Sequence, residues 1–507
     1  MKKFHLLPTK AFSSYEEYFK EIGSNAISLA KNMKPLEIIK EIGRAGLRGR
    51  GGAGFPTATK WRSIFSHPCK VRYVVCNAAE GEPGTFKDRF LIRKNPYALL
   101  EGLLIASQVI QPKEIYIGIK SSFVLEIKRL REAIREFEEK NLSNGQKITL
   151  IEGPEEYLFG EEKALLRFIE EGSPLPREPE YPPYERGLFS TPDSPNPALV
   201  NNVETFAHIP HIIRKGAESF RKLGTDDTPG TILFTLSGDI KKPGVYELEA
   251  GIKLNDLLFE IGGGGCSGKI CAVVSGVSSG VIPPEKFNTP CDFGHLSMIG
   301  SGLGSAGFVV FDETKNIPRI LQSLARFLYV ESCNQCTACK HGLRMASKTL
   351  DSLFNSPSPG DSESLEKILY GAKTAPQGNR CYLPVEGSIL IPSFINRFRR
   401  EFEQQLTSKV NKTKTIPVPI LKDFDEKTRT FTYDLDFQRK NSDWTYKEEM
   451  SSLKRKKSVK PARQSSGHFG VRLAPDVMDL VLRHTKKSKG ELDEVVNQLL
   501  RDCLKIK

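Results

Sequence analysis

Strand-like and helix-like segments alternate between residues 71 and 171, and this alternation restricts the possible folds more than any other feature of the chain. The predicted strands are the apolar, β-branched runs at 71–76, 114–119 and 147–153. The predicted helices, from their 3.6-residue periodicity, are 98–110, 124–140 and 161–171. Strands separated by helices of this length form right-handed βαβ units, which build a parallel sheet with ligands at the carboxyl ends of its strands. We therefore predict an α/β domain.

The flanking regions differ from this domain in character. A connector with eight prolines spans 173–197, and the segment 231–313 predicts a hairpin with a Lys-Pro-Gly turn, a short helix and further strands. The predicted organisation is an N-terminal helical segment (1–45), an α/β domain (46–228), a small α+β domain (229–316), a helical domain (317–407), a polar linker (408–468) and a tail (469–507).

A glycine-rich loop, RAGLRGRGGAGFPTATKW at 44–61, precedes the first predicted strand. Glycine in an ordered segment costs about 0.5–1 kcal/mol, so such a run indicates positive φ angles or close backbone contact with a ligand. The loop contains G-x-G-x-x-G at 49–54, but a helix-like segment precedes it and Pro56 follows it, unlike the dinucleotide-binding turn. It predicts a loop of backbone N–H groups around a phosphate and a ring, with Arg50 or Lys60 supplying charge. The alternative is a flexible surface loop.

Four of the ten cysteines form one pattern. Cys333, Cys336 and Cys339 have the spacing C-x2-C-x2-C, and Cys381 follows after 41 residues. Three thiolates on one loop and a fourth from a distance are typical of a [4Fe-4S] cluster, whereas structural zinc more often uses two separated pairs. Zinc, and buried cysteines without a metal, remain the alternatives.

Two acidic stretches fall on predicted loops. CNAAEGEPGTFKDR, after the first strand, contains Asn77, Glu80 and Glu82, and YLFGEEKALL contains Tyr157 and the pair at 161–162 at the start of a helix. Carboxylates at such a position are normally helix caps or dipole partners. Their coincidence with a ligand loop and a cysteine cluster favours a functional role.

Five motifs resemble, in order and spacing, the NADH-binding flavoprotein subunit of respiratory complex I. This family is shared with diaphorase subunits of NAD-linked hydrogenases and formate dehydrogenases. The motifs are GLRGRGGAGFPTATKW, CNAAEGEPGTFKDR, YLFGEE, NNVET and ESCNQCTAC, and the resemblance spans residues 35–407. It implies a Rossmann-like FMN/NADH domain at 46–228, a ubiquitin-like β-grasp domain of the SLBB type at 229–316, and a helical [4Fe-4S] domain at 317–407.

The resemblance also implies site residues. Those expected around the flavin and its phosphate are Gly49, Arg50, Gly51, Gly52, Lys60, Asn77, Tyr157, Glu161, Asn201, Asn202 and Thr205. Those expected to line the NADH pocket are Phe55, Glu80, Glu82, Glu162 and Tyr184. The expected catalytic residues are Glu161 and Glu162, and the expected cluster ligands are the four cysteines.

The implied function is an NADH dehydrogenase subunit of the NADH:quinone oxidoreductase type. Hydride would pass from NADH to FMN, and single electrons would then pass to the [4Fe-4S] cluster and to a larger complex. The expected partners are a thioredoxin-like [2Fe-2S] subunit and further electron-transfer subunits as separate chains. One alternative is a diaphorase subunit of a soluble hydrogenase or formate dehydrogenase, and another is a non-catalytic cluster-bearing scaffold or redox sensor with a DNA-binding tail.

Three positions depart from the family pattern. Ala79 replaces an acidic residue, Tyr181 replaces a lysine before the Pro-Pro pair, and Ser63 replaces an aromatic residue. These changes are expected to alter NADH affinity and the choice between NADH and NADPH. FMN and cluster binding are expected to be unaffected.

Residues 451–507, which comprise the end of the linker and the tail, carry most of the net charge of +13, because they contain 14 basic and 6 acidic side chains. The tail at 469–507 predicts a short strand and two helices, the second with a capping box from Ser488 to Glu491. This pattern resembles a ribbon-helix-helix unit, which would bind DNA, and the alternative is a basic helical pair that docks on a partner subunit.

We expect neither a signal peptide nor a membrane-spanning helix. The longest apolar run, 97–110, is short and contains Glu101. We therefore expect a cytoplasmic protein, or one held on the cytoplasmic side of the inner membrane through a complex.

Overall fold

The computed structural model describes residues 6–178, 181–355, 362–407 and 416–445. The chain divides into two compact units, 1–446 and 447–507, and all described residues belong to the first. The predicted tail at 469–507 lies outside the described residues.

The first sheet is parallel, as the alternation predicts, and it has four strands rather than the three recognised in the sequence. The strands are β1 (Tyr73–Ala78), β2 (Glu114–Lys120), β3 (Ile148–Gly153) and β4 (Ala198–Asn202). Their order is β3-β2-β1-β4, and Cys76 and Asn77 pair with Asn201 and Asn202. The carboxyl ends of β1 and β4 therefore lie side by side, where a parallel sheet presents its ligand site.

Helices surround this sheet. They are α1 (Tyr15–Ile22), α2 (Ala26–Lys31), α3 (Pro35–Ala45), α4 (Thr57–Ser66), α5 (Lys87–Lys94), α6 (Pro96–Ile110), α7 (Val124–Glu139), α8 (Glu162–Glu171), α9 (Val203–Lys215) and α10 (Ala217–Arg221). Helix α6 is buried along nearly its whole length, because it packs in the core against α9. A Cβ at Gly102 would lie 1.9 Å from the Phe206 carbonyl oxygen, so only glycine permits this approach.

The longest apolar run of the sequence thus forms a core helix. Its one charged residue, Glu101, is buried and pairs with Arg214, and it also accepts a hydrogen bond from the Tyr18 hydroxyl at 2.6 Å. Within the described ranges, no helix is both long enough and apolar enough to span a membrane.

The second sheet is smaller and mixed. Its strands are β5 (Thr231–Gly238), β6 (Gly244–Glu249), β7 (Ile270–Ser275) and β8 (Gly307–Asp312), with short helices α11 (Leu254–Asp256) and α12 (Phe293–Met298) between them. The order is β6-β5-β8-β7, in which the central pair β5 and β8 is parallel and the outer pairs are antiparallel. The predicted hairpin at the Lys-Pro-Gly turn is present as β5–β6.

Helices follow the second sheet, as predicted for residues 317–407. They are α13 (Ile317–Glu331), α14 (Thr337–Asn355), α15 (Ser362–Thr374), α16 (Leu383–Arg397) and α17 (Arg399–Thr407). Three of the cysteines lie in and just after the short connection between α13 and α14, and the fourth lies just before α16. The packing of these helices therefore brings the two distant parts of the cysteine pattern together.

Residues 416–445 differ from the polar linker predicted for 408–468. They form a hairpin of β9 (Leu421–Asp425) and β10 (Thr430–Tyr433), whose Phe424 and Phe431 pack against Phe86 and Phe90. The chain then continues to Trp444, which is buried and donates its indole N–H to the Val330 carbonyl at 2.9 Å. A strand with one buried face needs only a few apolar residues, which alternate with charged ones. The sequence of this hairpin is therefore as polar as that of a linker, which is why it was predicted as one.

Candidate cofactor sites

The glycine-rich loop connects α3 to α4 and is closed at its base by hydrogen bonds. The Gly49 N–H donates to the Phe55 carbonyl at 2.8 Å, and the Thr57 N–H donates to the Leu47 carbonyl at 3.0 Å. Gly52 has φ of +134° and open space where a Cβ would project, whereas a Cβ at Gly51 would lie 3.2 Å from the Cβ of Asn202. The loop is therefore an ordered structure at the end of β4, rather than the flexible alternative.

The ends of β1 and β4 present three asparagines below this loop. The Asn77 side-chain amide donates to the Gly160 carbonyl at 2.7 Å. The side-chain Oδ1 of Asn202 accepts the Glu204 backbone N–H at 3.0 Å and so caps α9. Asn201 is buried, and its side-chain oxygen has no hydrogen-bond partner among the described residues. A buried acceptor without a donor is costly, so this atom is suited to a bound group.

Arg50 is held in the loop through both its backbone and its guanidinium. Its backbone N–H donates to the Thr205 hydroxyl at 2.9 Å, but its guanidinium is buried and donates to the carbonyl oxygens of Pro229 and Thr231 at 2.7 and 3.3 Å. Burial lowers the pKa of Arg50 to about 10, and the Glu204 carboxylate opposes this shift. One guanidinium nitrogen thus joins the loop to the start of β5, while Nε and Nη1 are buried and have no hydrogen-bond partner among the described residues.

Lys60 supplies the cation at this edge of the sheet. Its ammonium lies 3.0 Å from a Glu162 carboxylate oxygen and 3.1 Å from the Val200 carbonyl of β4. It also lies 5.9 Å from the ring centre of Phe55, which stacks on Tyr184 with ring centres 6.0 Å apart. These four side chains, predicted for the flavin or nucleotide pocket, lie together on one side of the glycine loop.

The two carboxylates of the first acidic motif have different surroundings. Glu80 accepts the backbone N–H groups of Asp88 and Arg89 at 3.1 and 3.4 Å, at the start of α5. Burial, with repulsion from Asp88, raises the pKa of Glu80 to about 7. Glu82 instead reaches the second sheet, where it accepts the Val277 and Ser278 N–H groups at 2.7 and 3.2 Å.

The second acidic motif forms a 3₁₀ turn, Tyr157–Gly160, followed by α8. Glu161 accepts the Ala164 N–H at 2.8 Å and therefore caps this helix, while burial raises the pKa of its carboxyl to about 7. Tyr157 donates its backbone N–H to Glu331 at 3.0 Å. The capping role considered for the acidic pair is thus real for Glu161, whereas Glu162 pairs with the cation described above.

The four cysteines of the pattern surround one small cavity. Its lining is Leu158, Ser332, Cys333, Cys336, Cys339, Arg380, Cys381, Leu383 and Pro384. Burial raises the pKa of the Cys339 thiol to about 12, which a bound metal centre would reverse because its positive charge stabilises thiolates. Within the described ranges, no three Cys, His, Asp or Glu side chains are close enough to hold a single metal ion.

One turn joins the two sites. The Gly160 carbonyl accepts the Asn77 amide at the end of β1, while Leu158 of the same turn lines the cysteine cavity. Lys163, in the first turn of α8, donates a hydrogen bond from its ammonium to the Arg380 carbonyl at 2.7 Å. The sheet edge and the cysteine cavity are therefore contiguous.

Sequence reasoning did not single out a buried ion-pair cluster beneath the sheet edge. The Lys87 ammonium lies 2.8 Å from both Asp88 and Glu204, and Asp88 accepts the Asn202 amide at 2.6 Å. These residues belong to the motifs CNAAEGEPGTFKDR and NNVET. Their place in those two motifs is the sequence feature that could have identified them. The cluster positions the asparagine that ends β4.

Comparison with known proteins places this arrangement in a family. The sequence model described as Nuo51 FMN-binding domain matches residues 42–211, and that of the NADH-ubiquinone oxidoreductase-F iron-sulfur binding region matches residues 319–405. The F2 subunit of NADH-quinone oxidoreductase from Rhizobium meliloti (strain 1021) is 37% identical over 412 residues, covering 78% of this chain and 94% of that protein. This chain belongs to the F-type family of NADH-quinone oxidoreductase subunits. It has the FMN-binding domain and the [4Fe-4S] region of that family, whose substrate is NADH.

This F-type chain also resembles hydrogenase subunits. The HndC subunit of the NADP-reducing hydrogenase from Solidesulfovibrio fructosivorans is 32% identical over 408 residues, covering 78% of this chain and 81% of that protein. A solved NAD⁺-reducing [NiFe]-hydrogenase in the air-oxidised state matches with a TM-score of 0.69 and 30% identity, covering 80% of this chain and 68% of that chain. These relatives are subunits of larger assemblies, which confirms that the fold is used in multi-subunit oxidoreductases.

Proposed function

We propose that this chain oxidises NADH with FMN held at the ends of β1 and β4, and delivers electrons through a [4Fe-4S] cluster bound by Cys333, Cys336, Cys339 and Cys381. The observation that carries the proposal is the turn Tyr157–Gly160, which contacts the sheet edge on one side and the cysteine cavity on the other. Bound FMN supplies a ring that accepts hydride and returns electrons singly, while the protein supplies binding, orientation and electrostatics.

The sheet edge fits a flavin. The glycine loop leaves open space at Gly52, and the buried oxygen of Asn201 lacks a donor among the described residues. Asn77 fixes the turn that would lie beside the ring, and Lys60 provides a cation for the phosphate or the nucleotide. Arg50 braces the loop against the second sheet through its backbone and one guanidinium nitrogen, and its buried, unpartnered Nε and Nη1 are donors for a bound anion.

The nucleotide side is formed by Phe55, Tyr184 and Glu162. Phe55 is 40% exposed and stacks on Tyr184, so an aromatic surface is available to a nucleotide base. Glu162 lies beside Lys60, which holds the carboxylate in place. Of the remaining predicted residues, Glu80 and Glu82 act from the loop after β1 by organising its backbone and its contact with the second sheet.

The cysteine cavity fits a cluster. Four thiols, three from one loop and one from the start of α16, are the donor set that a [4Fe-4S] cluster needs. Leu158, Leu383 and Pro384 give the same cavity an apolar part, and Ser332 and Arg380 complete its lining. The four cysteines thus supply a donor set suited to a cluster.

The proposed partners follow from the relatives. We infer a thioredoxin-like [2Fe-2S] subunit and further electron-transfer subunits as separate chains, in a complex of the NADH:quinone oxidoreductase type or a soluble hydrogenase. Attachment to the cytoplasmic side of a membrane would come only through such a complex. Nucleic-acid binding by the tail at 469–507 is a separate prediction, which salt-dependent binding of duplex DNA by the full-length chain tests.

The test of the proposed function is anaerobic reconstitution of the full-length chain, followed by assays of FMN, iron and NADH-dependent reduction of an artificial one-electron acceptor. We expect one FMN and about four irons per chain, and activity that requires FMN. C381S should retain FMN but lose the cluster. A chain that binds iron in the C381S variant as well as in the wild type would contradict the ligand assignment.

A further inference from the structure

Two carboxyl groups and one phenol meet where the two sheets and the helical region come together. Tyr157, in the turn after β3, places its hydroxyl oxygen 2.5 Å from the Glu82 Oε2 and 3.0 Å from the Glu386 Oε1. Glu82 lies in the loop after β1, and Glu386 lies in the first turns of α16, whose start lines the cysteine cavity. The three groups therefore form a hydrogen-bonded chain between the nucleotide side and the cluster side.

The number of protons that these three side chains share can be counted from their contacts. A phenol carries one proton and can donate to one oxygen only. Glu82 already accepts two backbone N–H groups at its Oε1, from Val277 and Ser278, which suits an ionised carboxylate that also accepts the Tyr157 proton at Oε2. The 3.0 Å contact between Tyr157 and Glu386 then needs a second proton, and only the Glu386 carboxyl can carry it.

The surroundings of Glu386 agree with a protonated acid. Its side chain is buried, its Oε2 has no partner, and no cation lies within 4 Å of it among the described residues. Burial and the neighbouring Glu82 both raise the pKa of Glu386 well above its usual range. An isolated buried carboxylate is so costly that the neutral form is favoured.

The other charged or titratable groups around these three side chains already have hydrogen-bond or ion-pair partners, or are exposed. The Glu331 carboxylate accepts the Tyr157 N–H and pairs with Lys440 at 2.7 Å. The buried Lys120 ammonium, which lies toward Gly81, donates to the Glu155 carbonyl at 3.1 Å. Tyr382, just before α16, is 55% exposed. Its partial burial, together with the Glu386 carboxyl, raises its pKa. None of these groups provides the missing proton.

We propose that Glu386, Tyr157 and Glu82 relay one proton between the cluster side and the nucleotide side of this junction. In the forward direction the Glu386 O–H bond breaks as the Tyr157 oxygen gains its proton, and the Tyr157 O–H bond breaks as Glu82 Oε2 gains the other. Glu82 ends as a neutral acid, Tyr157 is again a neutral phenol and Glu386 becomes a carboxylate, so the net charge does not change.

Through the relay, the carboxyl group that is protonated, Glu82 or Glu386, is the one on the side that gains negative charge. A charge of −1 arriving on the nucleotide side favours the proton on Glu82, and a charge arriving on the cluster side favours it on Glu386, because like charges repel. This direction rests on the proposed function, since that function places Glu82 in the nucleotide pocket. The stored proton itself depends only on the contacts above.

Infrared spectroscopy of the oxidised full-length holoprotein tests the stored proton. The wild type is expected to show the carbonyl stretch of a protonated carboxylic acid at pH 9, where Glu80 and Glu161, whose pKa values are about 7, are ionised, with the downshift that deuterium exchange produces. E386Q should lose this band, while the control E331Q should keep it, because Glu331 is a carboxylate paired with a cation. Retention of the band in E386Q, or its absence from the wild type, would overturn the proposal.

Reduction by dithionite tests the relay without requiring NADH, and so separates its failure from failure of the proposed function. In C381S, which is expected to keep FMN without the cluster, reduction adds negative charge on the nucleotide side alone, so the proton should move to Glu82 and the protonated-acid band should shift. In the double variant C381S/Y157F the band should remain unshifted, because the phenol that passes the proton is absent. A band that does not shift on reduction of C381S would show that Glu386 is a static structural acid, which refutes the relay.

Discussion

The raised pKa of Glu80 makes a quantitative prediction about stability. A shift from 4.5 to about 7 means that the folded state binds the proton of this carboxyl more tightly than the unfolded state. The stability that this proton provides is therefore fully present below the unfolded pKa and is lost as pH rises from 4.5 to about 7. At 1.36 kcal/mol for each pKa unit, ionisation of Glu80 costs about 3 kcal/mol at pH 8 and about 1 kcal/mol at pH 5.

E80Q removes this cost and keeps one oxygen for the 3.1 Å hydrogen bond from the Asp88 N–H, while the longer 3.4 Å contact from the Arg89 N–H to the second oxygen is lost. We expect E80Q to be more stable than the wild type by about 3 kcal/mol at pH 8 and by about 1 kcal/mol at pH 5. With an unfolding entropy of about 2 cal/mol/K per residue, the larger value raises Tm by about 3–4 °C if residues 6–445 unfold together.

The assay is thermal unfolding of apoprotein at pH 5, 6, 7 and 8, followed by circular dichroism. E139Q is the control, because Glu139 is 67% exposed on α7 and only weakly paired with Arg135. Its Tm should follow that of the wild type at every pH. An E80Q Tm that exceeds the wild type by the same amount at pH 5 and pH 8, or that falls below it at pH 8, would refute the electrostatic reasoning.

Three further predictions concern the hairpin, the cation and the cluster. F431A should destabilise the fold by about 3–5 kcal/mol and expose the hairpin to proteolysis, because its ring is buried, whereas T432A on the exposed face of the same strand should change little. K60M should weaken nucleotide or flavin binding by about tenfold or more, because a charged hydrogen bond is lost. R62M, at an exposed position of the same helix, should leave the binding constant unchanged. Isothermal titration calorimetry measures both binding constants. C381S should abolish the paramagnetic signal of the reduced cluster without releasing FMN, and an unchanged signal would contradict the assignment of Cys381.

Local patterns in the sequence were enough to predict most elements. The β-branched runs predicted β1, β2 and β3, and helical periodicity predicted α6, α7 and α8, because these elements are long or strongly apolar. Strand β4 was not predicted, since it has only five residues after a proline-rich connector and is recognised as a strand only by its pairing with β1. The hairpin of β9 and β10 was missed for a similar reason: its few buried aromatic residues are specified by Phe86 and Phe90, far away in sequence.

The candidate site shows the same division between local and long-range information. The structure places Asn77 at the end of β1, Lys60 beside β4 and the four cysteines around one cavity, and their roles in binding stay predictions. The orientation of Arg50 could not be read from the motif, because it depends on the carbonyl oxygens of the second sheet. Glu386 carried no signal at all, since a single glutamate in a helix shows its importance only when folding places it against Tyr157.

The most direct test of the central claim is anaerobic titration of the reconstituted chain with NADH and then NADPH. Flavin absorbance reports the first site, and electron paramagnetic resonance reports the cluster. We expect NADH to bleach the flavin and the cluster signal to follow, since the turn at 157–160 joins the two sites. A chain that contains FMN and the cluster but responds to neither nucleotide would contradict the account, and would favour a cluster-bearing scaffold or redox sensor.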